Sequence, residues 1–281
     1  MAKPERTRGV KVIEFIEHYC LTPSGTQVGK PLKLMPFQKR FILEIYDNPV
    51  GTRRAYLSVG RKNGKTALIA CILLAHLVGP EAKRNAQIIS GAMSREQAAI
   101  VYDLASKMVA LSPKLRGIVR EVPSGKKLIG MNMNTEFRAI SAEGKTAHGL
   151  SPILAILDEL GQVRGPQSDF VDAITTSQGA HEAPLLMVIS TQAPNDNDLL
   201  SIWLDDAKTS KDKRAVTRNA IKRQIYSVSA QFAPQLRPRG HVVRLRAGFD
   251  RKEFISATSD LLKAAVRAEL LDLFARASAH P

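Results

Sequence analysis

The 281-residue chain has little of what staples or anchors a protein. Two cysteines, Cys20 and Cys71, are too few for a disulfide framework or a four-cysteine zinc site, and they point to a reducing compartment. The six histidines are dispersed, so no metal-ligand cluster and no Ser-His-Asp or Cys-His arrangement can be drawn from spacing. The longest apolar run, from Ala67 to Gly79, is broken by His76 and is too short to span a bilayer. The N-terminal MAKPERTRGV is basic and lacks the apolar stretch of a secretory signal. These absences predict a soluble cytoplasmic protein without a membrane partner. What is present is ordinary globular chemistry, 44% hydrophobic and 24% charged, enough for a sizeable core in one large domain or two modest ones.

The net charge of +15 is regional. Between Lys208 and Lys252 thirteen Lys and Arg face only Asp212 and Asp250, whereas the rest of the chain has 28 basic and 24 acidic residues. No Glu occurs between Glu182 and Glu253. Such a stretch suits a polyphosphate partner, and it equally suits a solvated surface.

Hydrophobic periodicity divides the chain into three textures. In the first fifty residues Val12, Phe15, Ile16 and Tyr19 recur at helical spacing, and a second helical pattern follows Pro36 with Phe37, Phe41, Ile42 and Ile45. From residue 54 onward short apolar runs alternate with helical patterns. Strands are predicted at 55–59, 86–90, 135–141, 153–157 and 185–189, with a helix from Thr66 to Val78 and another opened by Ser94 with Glu96 and Gln97 in its first turn. The runs ILAIL and LLMVI read as strands buried on both faces. Strands alternating with helices predict an α/β fold with a mostly parallel central sheet. A last helical pattern runs from Ser259 to Ala277, with Leu262, Val266, Leu270, Leu273 and Phe274 apolar. No internal repeat is found. The expected organisation is a domain over 1–208 and a basic appendage over 209–281.

The sharpest local signal is Val59-Gly60-Arg61-Lys62-Asn63-Gly64-Lys65-Thr66, after a predicted strand and at the start of a helix. Nucleotide phosphates need a concave run of backbone N–H groups at a helix N-terminus, an ammonium and a metal-binding hydroxyl. Gly64 permits close backbone approach, Lys65 reaches the β- and γ-phosphates, and Thr66 supplies the hydroxyl. The match to G-x-x-x-x-G-K-[ST] is imperfect, because Val59 occupies the first glycine position. A basic turn at a helix start is the alternative. About ninety residues downstream the strand 153–157 ends in Asp158-Glu159. That is where an open α/β sheet places its ligand chemistry. Asp158 would hold Mg²⁺ and Glu159 would polarise the attacking water, unless Asp158 merely caps a turn. The strand 185–189 ends in Ser190-Thr191-Gln192, polar groups placed to contact the γ-phosphate or the water.

Together these residues resemble the large terminase subunit of tailed bacteriophages, the motor that packages DNA into proheads. The resemblance rests on the deviant loop Gly60–Thr66, on Leu157-Asp158-Glu159-Leu160, on Ser190-Thr191-Gln192, on Leu34-Met35-Pro36-Phe37-Gln38, and on the glycine-containing loop 141–149, all in order over residues 10–212. It implies a P-loop NTPase fold of the ASCE type, ATP and Mg²⁺ as cofactors, and hydrolysis coupled to translocation of duplex DNA. By position it implies Lys65 and Thr66 as phosphate and metal ligands, with Gly60, Arg61, Lys62, Asn63 and Gly64 around the phosphates. Arg61 stabilises γ-phosphate charge, Asp158 holds the metal, Glu159 orients water, Gln38 reads the adenine and Thr191 senses the γ-phosphate. The implied partners are a small terminase subunit, a portal protein and further copies in a ring, in the cytoplasm of a bacterial host. The family's second domain is an RNase H-like nuclease. The seventy or so residues after Asp212 have no acidic cluster at strand ends, so DNA cleavage by that mechanism is not expected. A truncation or frameshift near residue 212 is one reading of that change. Two readings compete with the motor: an idle prophage remnant that binds nucleotide or DNA, and a helicase-like ATPase.

Overall fold

The computed structural model describes residues 6–60, 63–143, 149–191, 193–211, 228, 231–232, 234 and 260–279. The chain forms two compact units, Met1–Ser201 and Ile202–Pro281.

The first unit opens with two helices, α1 (Arg8–Tyr19) and α2 (Pro36–Tyr46). The Thr7 hydroxyl caps α1 by accepting from the Val10 N–H, and Pro36 occupies the first helical position of α2, where a missing N–H costs nothing. Then come β1 (Arg54–Ser58), α3 (Lys65–Leu77), β2 (Gln87–Ala92), α4 (Arg95–Leu111) and the single turn α5 (Pro113–Arg116). The short strands β3 (Val119–Val122) and β4 (Lys127–Gly130) precede β5 (Thr135–Ser141), β6 (Pro152–Asp158), α6 (Asp169–Ser177), β7 (Leu185–Ser190) and α7 (Leu199–Lys211), of which only Leu199–Ser201 belong to this unit.

The seven strands form one sheet in the order β1-β7-β6-β2-β5-β4-β3. The first five are parallel, and β4 and β3 add an antiparallel edge. The expected mostly parallel α/β fold is therefore observed. The antiparallel edge was not foreseen, because VREV and KLIG are four residues each, too short to show a period. Strands β6 and β7 are buried along their whole length, as continuous apolar runs in a parallel sheet must be.

Helix α3 is the centre of the core. Every residue from Leu68 to Leu77 is buried, His76 included, so the helix is apolar all round and needs cover on every side. Val12 and Ile16 of α1, Ile42 of α2, Val101 and Met108 of α4, and Ile88, Phe137, Leu154 and Met187 of the sheet share its cluster. On the opposite face α6 lies so close to β2 that a Cβ on Gly91 would stand 2.8 Å from the Ile174 Cδ1.

In the second unit the described residues include α8 (Asp260–Ala279), which buries Val266, Leu270 and Phe274 on one stripe, and the Phe232 and Phe274 rings stack 5.9 Å apart. The basic stretch from Lys208 to Lys252 lies almost wholly outside the described residues. No helix among the described residues is long and apolar enough to cross a membrane.

The packing of α3 against the sheet edge generates a test. A Cβ on Gly130 would lie 2.4 Å from the Leu77 carbonyl oxygen, whereas nothing lies within 4 Å of one on Gly179. Gly130→Ala is expected to destabilise the chain by ~1–3 kcal/mol in urea unfolding, the range for overpacked cores. Gly179→Ala should stay within ~0.5 kcal/mol of the parent. Equal midpoints for the two variants would contradict this packing.

Candidate nucleotide site

Parallel strands carry their C-terminal ends to one edge of the sheet, and three of those ends meet there. From β1 the chain passes through Val59, whose N–H donates to the Ser190 carbonyl at 3.2 Å, and turns at Gly60. The Asn63 side-chain amide donates to the Gly60 carbonyl at 3.2 Å. Gly64 stands at φ 68°, ψ 18°, a left-handed conformation that a side chain would strain, and it immediately precedes α3. A helix N-terminus is a natural anion site, because its first N–H groups lack intrahelical partners. Lys65 and Thr66 are the first two residues of that helix, Lys65 buried and Thr66 half-buried. Arg61 and Lys62 lie outside the described residues.

The Lys65 ammonium does not face solvent. It sits 2.8 Å from Glu159 Oε1, with side-chain exposures of 8% and 17% for the pair. Glu159 is the first residue past β6 and takes φ 53°, ψ 43°, a left-handed backbone that is uncommon for a non-glycine. Its other oxygen, Oε2, accepts from the Thr191 N–H at 3.1 Å, the Thr191 hydroxyl at 3.2 Å and the Ser190 hydroxyl at 3.4 Å. The start of α3 and the ends of β6 and β7 are thus tied through one carboxylate. β7 is inserted between β1 and β6, which puts Thr191 beside Glu159.

Asp158, one residue earlier, lives in different surroundings. It is still in the strand and only 4% exposed. Its Oδ2 accepts from the Gln97 side-chain amide at 3.1 Å, and its Oδ1 is buried without a hydrogen-bond partner among the described residues. Burial raises its pKa to about 6, against the Gln97 hydrogen bond. Glu159 is also pushed up by burial, but the Lys65 and Thr191 bonds outweigh that and hold it below the usual carboxylate range. Adjacent carboxyls are therefore driven in opposite directions.

Beside Gly64 opens a cleft of about 1140 Å³, lined by Pro31, Leu34, Gln38, Asn63, Gly64 and Leu68 among others. Gln38 is buried, and its Oε1 accepts from the Met35 N–H at 2.9 Å. The Gln38 Nε2 stands only 3.4 Å from where a Cβ on Gly64 would be. The side chain thus reaches the loop from the far wall of the cleft.

Residues 36–211 match the sequence profile of the terminase large subunit, ATPase domain. The chain belongs to this family. A terminase large subunit from Enterobacteria phage HK97 is 70% identical over 210 residues, which are 75% of this chain and 42% of that protein. The crystal structure of the HK97 large terminase superposes with a TM-score of 0.70 at 70% identity, covering 73% of this chain and 42% of that one. The chain thus spans less than half the length of this relative.

The terminase ATPase domain brings Gln38, Asn63 and Gly64 to one cleft, and Lys65, Glu159 and Thr191 to one contact. Asp158 ends the strand that Glu159 follows, Thr66 stands next to Lys65, and the chain turns at Gly60. Gln192 and residues 144–148 of the glycine-containing loop are outside the described residues. Two participants were not foreseen from the sequence. Gln97 holds Asp158, and Asp198 accepts from the Gly165 N–H at 3.0 Å and the Asn195 N–H at 3.2 Å, tying the segment after Glu159 to the segment after β7. The only signal for Asp198 was its place just before a helical run.

The raised Asp158 pKa predicts a pH effect whose sign follows from linkage. A carboxyl whose folded pKa lies above its unfolded value binds more protons in the folded state, so stability falls as pH rises from about 4 to 6 and stays lower above that. Asp158→Asn removes this penalty. In metal-free and nucleotide-free buffer it is expected to raise the unfolding midpoint at pH 7.5, with the gain closing as pH falls towards 4. A variant less stable than the parent at pH 7.5 would refute the assignment.

Proposed function

We propose that this chain hydrolyses ATP with Mg²⁺ as the motor domain of a DNA-packaging terminase, coupling hydrolysis to the movement of duplex DNA. The observation that carries the reading is the Lys65–Glu159 ion pair at the C-terminal edge of the sheet, with Asp158 beside it, in a member of the terminase ATPase family. The residues fit a magnesium ion. The metal prefers hard oxygen donors; Asp158 offers a buried Oδ1 without a hydrogen-bond partner among the described residues, and α3, which packs on β6, carries the Thr66 hydroxyl at its start. When bound, Mg²⁺ neutralises charge on the β- and γ-phosphates.

The chain's own residues then divide the work. The unpaired backbone N–H groups at the start of α3, after Gly64, receive the phosphates, and the charges of Arg61 and Lys62 add to the attraction. The Lys65 ammonium exchanges Glu159 for the β- and γ-phosphate oxygens. The released Glu159 carboxylate stays fixed by the Thr191 N–H and hydroxyl and orients the attacking water. Arg61 stabilises the charge that spreads over the transferred phosphoryl oxygens. Gln38 contacts the base from the far wall of the cleft, and Asn63 keeps the loop closed through Gly60. Because Thr191 holds Glu159 at the end of β7, loss of the γ-phosphate changes the load on that strand, a route from hydrolysis to movement. Duplex DNA is gripped through phosphates by basic residues, in a ring of copies that meets a small terminase subunit and a portal protein in the host cytoplasm.

The test is Mg²⁺-dependent ATP hydrolysis by the purified chain with and without duplex DNA. Glu159→Gln and Lys65→Ala are expected to lower kcat by about 10²–10⁴-fold, with ATP binding retained in the first and lost in the second. Hydrolysis by Glu159→Gln at the parent rate would sink the assignment. Binding to duplex DNA should weaken steeply between ~50 and ~200 mM salt, as phosphate contacts require. Salt-independent retention would argue against a grip on the backbone.

A further inference from the structure

The segment Ser94-Arg95-Glu96-Gln97 has the pattern of a capping box, in which the glutamine would fold back onto the N–H of residue 94. Half of that box exists. The Ser94 hydroxyl accepts from the Gln97 backbone N–H at 3.2 Å and caps α4. The Gln97 side chain instead crosses to the neighbouring strand and donates to Asp158 Oδ2 at 3.1 Å, a contact 61 residues away in sequence.

Sheet register explains how. Gly91 of β2 is paired with Leu157 of β6, so Ala92 stands level with Asp158, and only Met93 and Ser94 separate it from α4. The first turn of α4 therefore rises beside the end of β6. The cap pins the Gln97 backbone, and the side chain spans the remaining gap. One carboxylate oxygen is thereby fixed and the other, Oδ1, is left buried and without a hydrogen-bond partner among the described residues. A buried carboxylate with an unused oxygen is costly unless a cation or donor completes it. The amide is also the right chemistry for the task, since it donates to Oδ2 and brings no charge of its own to compete with a metal.

We propose that Gln97 is a positioning residue for the metal, one that acts through Asp158. It holds Oδ2, so that Oδ1 is the oxygen left for a cation. Groups that orient a ligating carboxylate or imidazole in this way control metal affinity without touching the metal. The inference rests on the reading of Asp158 as the magnesium ligand. It also gives α4 a stake in the nucleotide state, because the helix that carries Gln97 packs along α3 and β5.

The experiment measures Mn²⁺ binding by electron paramagnetic resonance on the full chain with a non-hydrolysable ATP analogue, and analogue binding in EDTA. Gln97→Leu is expected to weaken Mn²⁺ binding about 10–100-fold while metal-free analogue affinity stays within about twofold. Ser94→Ala, which removes the cap but not the amide, is expected to lower Tm and leave Mn²⁺ affinity in place. Unchanged Mn²⁺ affinity in Gln97→Leu, beside a loss in Asp158→Asn, would overturn the role of Gln97 alone. An equal loss in Ser94→Ala and Gln97→Leu would also overturn it, since the helix terminus and not the amide would then matter. Unchanged affinity in Asp158→Asn would remove the metal reading itself and this proposal with it.

Discussion

A buried ammonium organises the upper edge of the sheet. Lys65 is fixed by its place at the start of α3, a helix with no polar face to offer it, and its charge has to be met within the protein. Taking two ions out of water costs several kcal/mol each, so a buried pair persists only with good geometry and with its remaining lone pairs satisfied. Glu159 meets both conditions. One oxygen takes Lys65, and the other takes two donors from Thr191 and one from Ser190. The cost appears in the backbone, where Glu159 adopts a left-handed conformation at roughly 1 kcal/mol or more. That turn brings a residue at a strand end round to face the start of a helix whose preceding strand lies two places away in the sheet.

The same turn separates two neighbouring carboxyls. Asp158 keeps the extended backbone of β6 and stays in the sheet's interior, where the Gln97 amide reaches it. Glu159 leaves the strand and enters a cluster of donors. Burial therefore dominates the first and hydrogen bonding with a cation the second, and their pKa values move apart. Pairs of titratable groups driven apart by their surroundings mark a division of chemical labour. Here it falls between a group that waits for a cation and a group already ionised and aimed.

The N-terminal helices complete the site from outside the sheet. Asp47, just past α2, accepts from the Gly9 N–H at 2.7 Å and the Thr7 hydroxyl at 2.8 Å, which ties the two helices together. Tyr46 and His76 share a buried 2.8 Å hydrogen bond that fastens α2 to α3, and burial drives the His76 pKa down to about 3, so the imidazole stays neutral. Arg8 reaches Glu81 beyond the end of α3. These contacts lie far from the phosphate loop, yet they hold α2 where Gln38 stands across the cleft from Gly64. The placement of one amide rests on a network at the other end of the same helices.

Much of this was legible in the chain, because it is written in local terms. Glycine and lysine before an apolar helix, acidic residues closing an apolar run and polar residues closing another depend on periodicity and on backbone freedom over a few residues. The loop, the strands β1, β6 and β7, and the α/β class follow from such signals. The antiparallel edge does not, since β3 and β4 are too short to show a period. Nor does the choice made by Gln97, because S-x-x-Q reads the same whether the amide folds back on its own helix or crosses to another strand. The register of β2 against β6 decided that choice. Sequence by itself determined which groups stand at the ends of which elements. Only the tertiary structure decided which of them touch, because a hydrogen bond between residues 97 and 158, or an ion pair between 65 and 159, depends on strand order and on burial that no local pattern encodes.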